Sequence, residues 1–173
     1  MTLFCIFASI MALNPFSEEQ IIARLQFENP WWVTGSLEGY YQSFKPRLYF
    51  NLFYPLVKNT TVHRACVLMG PRRVGKTVML YHTIQQLIAE GVAPQKILYA
   101  SIETPIYNNI PLDELFTMAK KATGDTDSNG WYIFFDEIQY LKEWEVHLKT
   151  LVDVCHNTKF IASGSAAAAL KLK

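Results

Sequence analysis

The spacing of apolar residues changes character once along this chain, near Ala65. Between Asn14 and about Thr60 the apolar positions are irregular and many are aromatic. Ser17-Glu18-Glu19-Gln20 precedes Ile21, Ile22 and Leu25, the pattern of a side-chain cap opening a short helix. Pro30 pushes Asn29 out of the helical region, so that helix is expected to end at Asn29-Pro30-Trp31-Trp32. Arg47 to Val57 forms a second amphipathic segment. Beyond it, short continuous apolar runs alternate with helical spacing. Ala65 to Met69 stops at a glycine, as a strand buried in a parallel sheet does. Thr77 to Glu90 places Leu80, Ile84, Leu87 and Ile88 on one helical face, closed by Gly91. Lys96 to Ile102 is a second strand, Leu112 to Ala122 a helix and Trp131 to Phe135 a third strand. Trp144, Leu148, Leu151, Val152 and Cys155 share a helix face, and Phe160 to Ala162 is a fourth strand. Such alternation predicts an α/β fold with a mainly parallel sheet. Residues 1–60 then form an extension and helical, aromatic-rich arm, and residues 61–173 the core.

Between the first strand and the first core helix lies Gly70-Pro71-Arg72-Arg73-Val74-Gly75-Lys76-Thr77, followed by Val78. It satisfies the G-x-x-x-x-G-K-[ST] pattern of a phosphate-binding loop. Glycines let backbone N–H groups curl around a phosphate, and the following helix adds its unpaired amides and positive dipole end. Lys76 can then reach the β- and γ-phosphates while the Thr77 hydroxyl serves Mg²⁺. The position, after a strand and opening a helix, is the context that the motif requires, and it predicts the three-layer α/β/α fold of phosphate-loop NTPases.

A bound metal-nucleotide calls for a second acidic residue at a neighbouring strand tip. The stretch DTDSNGWYIFFDE, Asp125 to Glu137, offers one but can be parsed in two ways. Its left half, D-x-D-x-N-G, imitates the front of a calcium-binding loop. Its right half is an apolar strand ending in Asp136-Glu137. The calcium reading places Asp136 where a bidentate glutamate is needed and has aromatic strand residues where a helix should begin. The metal-nucleotide reading is preferred: Asp136 for Mg²⁺ and Glu137 as the base that polarises the attacking water. Thr123 to Gly130 is then a polar loop of turn formers. The fourth strand runs into Ser163-Gly164-Ser165, and a strand with a polar tip is expected between the loop strand and the acidic strand. Ser163 or Ser165 would touch the γ-phosphate or the water; the alternative is a serine capping a helix in a turn.

Composition narrows the remaining choices. A net charge of +1 does not call for a polyanionic partner, so nucleic acid is unsupported. The 3 cysteines, Cys5, Cys66 and Cys155, are odd in number and lack C-x-x-C spacing, which suits free thiols in the cytoplasm. Thr2 to Leu13 is apolar but shorter than the ~20 residues of a membrane helix and lacks a basic flank, so no membrane association is expected. Met11 is the expected true start, with residues 1–10 a misassigned extension. Arg72 and Arg73 face either a nucleotide, a neighbouring subunit or solvent. The aromatics between Phe27 and Tyr54 either pack the arm against the sheet or stack on a base. His63, His82, His147 and His156 show no metal spacing.

With these residues in place, the chain resembles the uncharacterised prokaryotic AAA-type ATPases whose core is followed by a separate C-terminal domain. The matching features are Asn29-Pro30-Trp31-Trp32, GPRRVGKT, Gly91-Val92-Ala93-Pro94, Ile97-Leu98-Tyr99, Ile133 to Gln139, Trp144-Glu145 and Ser163-Gly164-Ser165. The resemblance implies ATP and Mg²⁺ as ligands, with hydrolysis at Lys76, Thr77, Asp136 and Glu137 and a sensor role for Ser163 or Ser165. It also implies ADP as product, and leaves a protein partner or a second copy open. Family members continue with a fifth strand, a helical lid, arginine-bearing segments and the C-terminal domain, so this chain is expected to be an N-terminal fragment. After the fourth strand its only basic residues are Lys171 and Lys173. A nucleotide-dependent switch with little turnover is the alternative to an ATPase.

Overall fold

The computed structural model describes residues 15–37 and 39–165. Met11, Thr2 to Leu13, Lys171 and Lys173 lie outside the described residues. The arm comprises α1 (Glu18–Glu28), α2 (Trp31–Thr34) and α3 (Phe50–Lys58). The core follows as β1 (Cys66–Gly70), α4 (Lys76–Ala89), β2 (Ile97–Ser101), α5 (Leu112–Thr123), β3 (Tyr132–Asp136), α6 (Trp144–Val154) and β4 (Lys159–Ser165). The four strands form one parallel sheet in the order β1-β4-β3-β2. The chain therefore steps outward once, from β1 to β2, and then returns through β3 to β4. Parallel crossovers are right-handed, so the outward step puts α4 on one face and the two return steps put α5 and α6 on the other. This α/β/α arrangement is the expected one, and β4 lies between the loop strand and the acidic strand as anticipated.

Local signals explain most boundaries. Ser17 accepts from the Gln20 amide while the Gln20 side chain accepts from the Ser17 amide, so the N-terminus of α1 is doubly capped. Pro30 ends α1 as expected, but it also opens the short α2, which Gly35 closes at φ 73°. The side chains around this break cover the free edge of β2. Trp31 and Trp32 both donate their indole N–H to the Ile97 carbonyl, at 3.0 and 2.7 Å. The Asn29 carboxamide donates to the Tyr99 carbonyl at 2.8 Å and accepts from the Tyr99 amide at 2.6 Å. Glu28 accepts from the Ser101 amide at 3.3 Å. Side chains of the arm thus occupy the positions that another strand would hold, which removes an edge open to foreign pairing.

Two expectations are corrected. The first strand was expected to be buried throughout, yet β1 is at the edge of the described sheet, and Val67 and Met69 are 43% and 37% exposed toward a groove beneath α3. An apolar run cannot distinguish an edge strand from a central one. The fourth strand was expected to end at Ala162, with Ser163-Gly164-Ser165 beyond it, yet β4 continues to Ser165 because β1 pairs with it as far as Gly70 opposite Ser165. Ser163 and Ser165 are buried strand residues. Among the described residues, no helix is long and apolar enough to cross a membrane.

Candidate functional site

At the C-terminal ends of β1, β4 and β3 the chain gathers most of the singled-out polar residues into one cleft. Gly70 ends β1, Pro71, Arg72, Arg73 and Val74 form an exposed loop, and Gly75 precedes α4 with φ 89°. That left-handed turn is nearly free of strain only for glycine. No side chain caps α4, so its first amides face the loop together with the positive end of the helix dipole. Lys76 and Thr77 occupy the first turn, with Val78 half-buried behind them. The buried Lys76 ammonium donates to the carbonyls of Gly70 and Pro71 at 3.3 and 3.1 Å, and it stands 3.9 Å from Glu137 Oε1.

Asp136 is the centre of the polar cluster. It is 1% exposed, at the tip of β3. Its Oδ2 accepts from the Thr77 hydroxyl at 2.7 Å, across 59 residues of sequence, and from the Tyr99 hydroxyl at 2.9 Å. Its Oδ1 accepts from the Ser163 hydroxyl and from the Glu137 amide at 3.1 Å. Burial, followed by the Asp136 charge, pushes the Tyr99 hydroxyl well above its ordinary value of 10, which keeps it an O–H donor. The Asp136 carboxylate and the Thr77 hydroxyl beside it are hard oxygens, a donor type that suits a hard divalent cation such as Mg²⁺.

Glu137 adopts φ 50°, ψ 44°, a left-handed conformation rare for a residue with a Cβ. In a continuing strand, neighbouring side chains would point to opposite faces. The left-handed turn instead ends β3 and brings the Glu137 carboxylate round toward Lys76. A 3₁₀ turn, Ile138–Tyr140, follows at once and returns Gln139 to the same carboxylate, with Nε2 donating to Glu137 Oε2 at 2.5 Å. Ser163 and Ser165 separate here. Ser163 reaches Asp136 with its hydroxyl, whereas Ser165 enters the cluster through its backbone amide, which donates to Gln139 Oε1 at 3.1 Å.

Several participants were not picked out from sequence. Tyr99 and Gln139 stood in motifs quoted only for resemblance. Arg47 stood in an amphipathic segment, yet its guanidinium lies over the loop, 3.3 Å from where a Cβ on Gly75 would be. Arg72 and Arg73 are exposed. Of the arm aromatics, Trp31 and Trp32 are buried against β2 and Tyr41 stacks on Tyr81 at 4.0 Å, while Phe27 and Tyr49 remain exposed. The loop that imitates a calcium site closes on a lysine. The Lys96 ammonium bonds the Asp127 and Asn129 carbonyls at 3.4 and 3.0 Å and pairs with the Asp125 carboxylate. Of the side-chain oxygens that would face calcium, the Asp125 carboxylate pairs with this lysine, Asp127 Oδ1 accepts from the Asn129 backbone and side-chain N–H groups, and Asn129 Oδ1 accepts from the Asn157 carboxamide.

Comparison with known proteins assigns the core to a family. The family model of the AAA domain matches residues 62–173. An uncharacterised protein of Haemophilus influenzae is 30% identical over 101 residues, which cover 58% of this chain and 25% of the relative. An uncharacterised protein of Methanocaldococcus jannaschii is 34% identical over 112 residues, 62% of this chain and 22% of the relative. A second protein of that organism is 31% identical over 99 residues, 57% and 21% of the two chains. The matched part thus spans about a quarter of the length of these relatives.

Proposed function

We propose that this chain, which belongs to the AAA domain family, binds ATP with Mg²⁺ in the cleft between β1 and α4 and hydrolyses it. One observation carries the reading. Thr77 and Asp136, 59 residues apart, meet at 2.7 Å beside Lys76 and Glu137, which face each other at 3.9 Å. A phosphate-loop lysine, a hydroxyl–carboxylate pair of hard oxygens and a second, less buried carboxylate therefore share one cleft.

Each residue has a distinct task in this reading. The loop amides from Arg72 to Lys76 and the first turn of α4 wrap the β-phosphate. The Lys76 ammonium leaves the Gly70 and Pro71 carbonyls for the β- and γ-phosphate oxygens. Thr77 and Asp136 hold Mg²⁺, which supplies charge neutralisation at the phosphates when bound. Glu137, 17% exposed at its side chain and so open to water, takes the proton of the attacking water. The water oxygen bonds the γ-phosphorus as the bond to the β–γ bridging oxygen breaks, releasing ADP and inorganic phosphate. Ser163 keeps Asp136 oriented from β4. The family relation supports an ATPase whose turnover drives conformational change in a larger protein.

Nucleotide-induced thermal stabilisation and phosphate release, measured on the intact protein, test the two halves separately. Lys76→Ala is expected to abolish stabilisation by ATP·Mg²⁺. Glu137→Gln is expected to retain it and to lower phosphate release about 100-fold or more. Stabilisation that survives Lys76→Ala would overturn the site assignment. Release that is negligible in the parent and unchanged by Glu137→Gln would favour a slow nucleotide-dependent switch.

A further inference from the structure

The 3₁₀ turn after β3 carries a residue to which the proposed chemistry gives no task. Gln139 bridges two elements of the cleft. Its Nε2 donates to Glu137 Oε2 at 2.5 Å, and its Oε1 accepts from the Ser165 amide of β4 at 3.1 Å. The bridge fixes the orientation of the carboxamide, because only the oxygen can accept from the Ser165 amide and only the nitrogen can donate to Glu137. It also explains a glycine. A Cβ on Gly164 would stand 2.9 Å from Gln139 Oε1, so that the carboxamide would have to shift, and in tight contact with Met69 Sδ at 3.1 Å. Gly164 has no positive φ, so close approach rather than turn geometry accounts for it.

We propose that Gln139 is a positioning residue for Glu137: it ties the carboxylate to β4 and holds its other oxygen toward Lys76. Glu137 has a flexible stem and, among the described residues, its carboxylate meets only Lys76 and Gln139. Without the bridge it swings among rotamers, and the water is polarised in only a fraction of them. Because β4 stands beside β1, whose end enters the phosphate loop, the bridge also links the base to the strand flanking the loop.

This proposal rests on Glu137 acting as the base, and the tests keep the two apart. Steady-state phosphate release by the intact protein is measured against ATP concentration for the parent, Glu137→Gln, Gln139→Ala, Gln139→Glu and Gly164→Ala. Gln139→Ala is expected to lower kcat about 10-fold with KM within about twofold, since orientation and not binding is lost. Gln139→Glu, which replaces the donor with a second carboxylate, is expected to lower kcat at least as much, again with KM little changed. Gly164→Ala should reproduce the Gln139→Ala defect, and combining the two should add little. If Gly164→Ala does not fold, the two Gln139 variants decide alone. An inactive Glu137→Gln beside a Gln139→Ala with unchanged kcat would overturn the bridge and leave the ATPase reading standing. A fully active Glu137→Gln would overturn both. Additive defects of Gly164→Ala and Gln139→Ala would show that the glycine serves something other than Gln139.

Discussion

The side chain of Asn29 meets both backbone groups of Tyr99, accepting from its amide at 2.6 Å and donating to its carbonyl at 2.8 Å. The same tyrosine sends its hydroxyl to Asp136 at 2.9 Å. One residue of β2 thus joins the arm that seals the sheet edge to the carboxylate at the centre of the candidate site. The arm is part of the site's support and not an appendage to it.

Removing the Asn29 carboxamide tests that support. Asn29 is fully buried, and its nitrogen also donates to the Leu25 carbonyl at 2.7 Å. Asn29→Ala leaves the buried N–H and carbonyl of Tyr99 short of partners, each worth about 1 kcal/mol or more, while the Leu25 carbonyl keeps the backbone amide of residue 29 at 3.0 Å. A loss of about 2 kcal/mol in unfolding free energy is expected, read from the urea midpoint at unchanged slope. A loss below about 0.5 kcal/mol would mean that water replaces the carboxamide and that the edge is not sealed by it.

Glu28 makes the same edge sensitive to pH. Burial raises its carboxyl above the ordinary value of 4.5, against the lowering effects of the Ser101 amide, Arg24 and Tyr107. A raised folded value means that the folded chain holds this proton more tightly than the unfolded chain. The resulting contribution to stability is fully present below about 4.5 and is lost as pH rises through the raised value. Glu28→Gln removes the titration. The stability of the parent relative to Glu28→Gln is therefore expected to decline with rising pH across that window and then level off. Parallel urea-midpoint profiles would show that burial does not govern this carboxyl.

What could be read from sequence was chemistry written in consecutive residues. Gly70 to Thr77 and Asp136-Glu137 are each recognisable within a few positions, because the backbone shape they need is local. The expected place of β4 between β1 and β3 was legible once those two motifs were paired. The bridging residues were not. Asn29 acts on a strand 70 residues away, and Tyr99 acts across 37 residues to Asp136. A lone polar residue reaching over such distances has no spacing to betray it. The exposure of β1 was hidden for a related reason, since its neighbours in the sheet are decided by residues far along the chain. Lys96 answered the calcium-like loop from outside the loop itself.

Gly75 joins the arm to the phosphate loop through Arg47. With φ 89°, an alanine here carries a conformational cost of about 1–2 kcal/mol. Its Cβ would also press on Arg47, 3.3 Å from Nη2. Gly75→Ala is expected to lower the melting midpoint by several degrees and to weaken ATP·Mg²⁺ binding at least 10-fold, as the loop amides turn away from the cradle. Isothermal titration decides it. Parent-like affinity in a folded Gly75→Ala protein would show that this turn does not shape the binding cradle.

The two serines of β4 were indistinguishable from sequence, and their contacts now separate them. Ser163 gives its hydroxyl to Asp136 Oδ1, whereas Ser165 enters the cluster through its backbone amide. Ser163→Ala removes a donor to a buried carboxylate, a loss on the order of 1.5–3 kcal/mol for a hydrogen bond to a charged group. Asp136 then keeps its bonds to Thr77, Tyr99 and the Glu137 amide but loses its tie to β4. Phosphate release is expected to fall about 10-fold or more, with a higher Mg²⁺ concentration needed for half-maximal rate. Ser165→Ala keeps the amide and is expected to stay within about twofold of the parent on both measures. A Mg²⁺ titration of phosphate release on the two variants side by side checks the assignment. Equal defects would return the sensor role to either serine, and a defect confined to Ser165→Ala would transfer it to the residue whose side chain the hydrogen bonding leaves out.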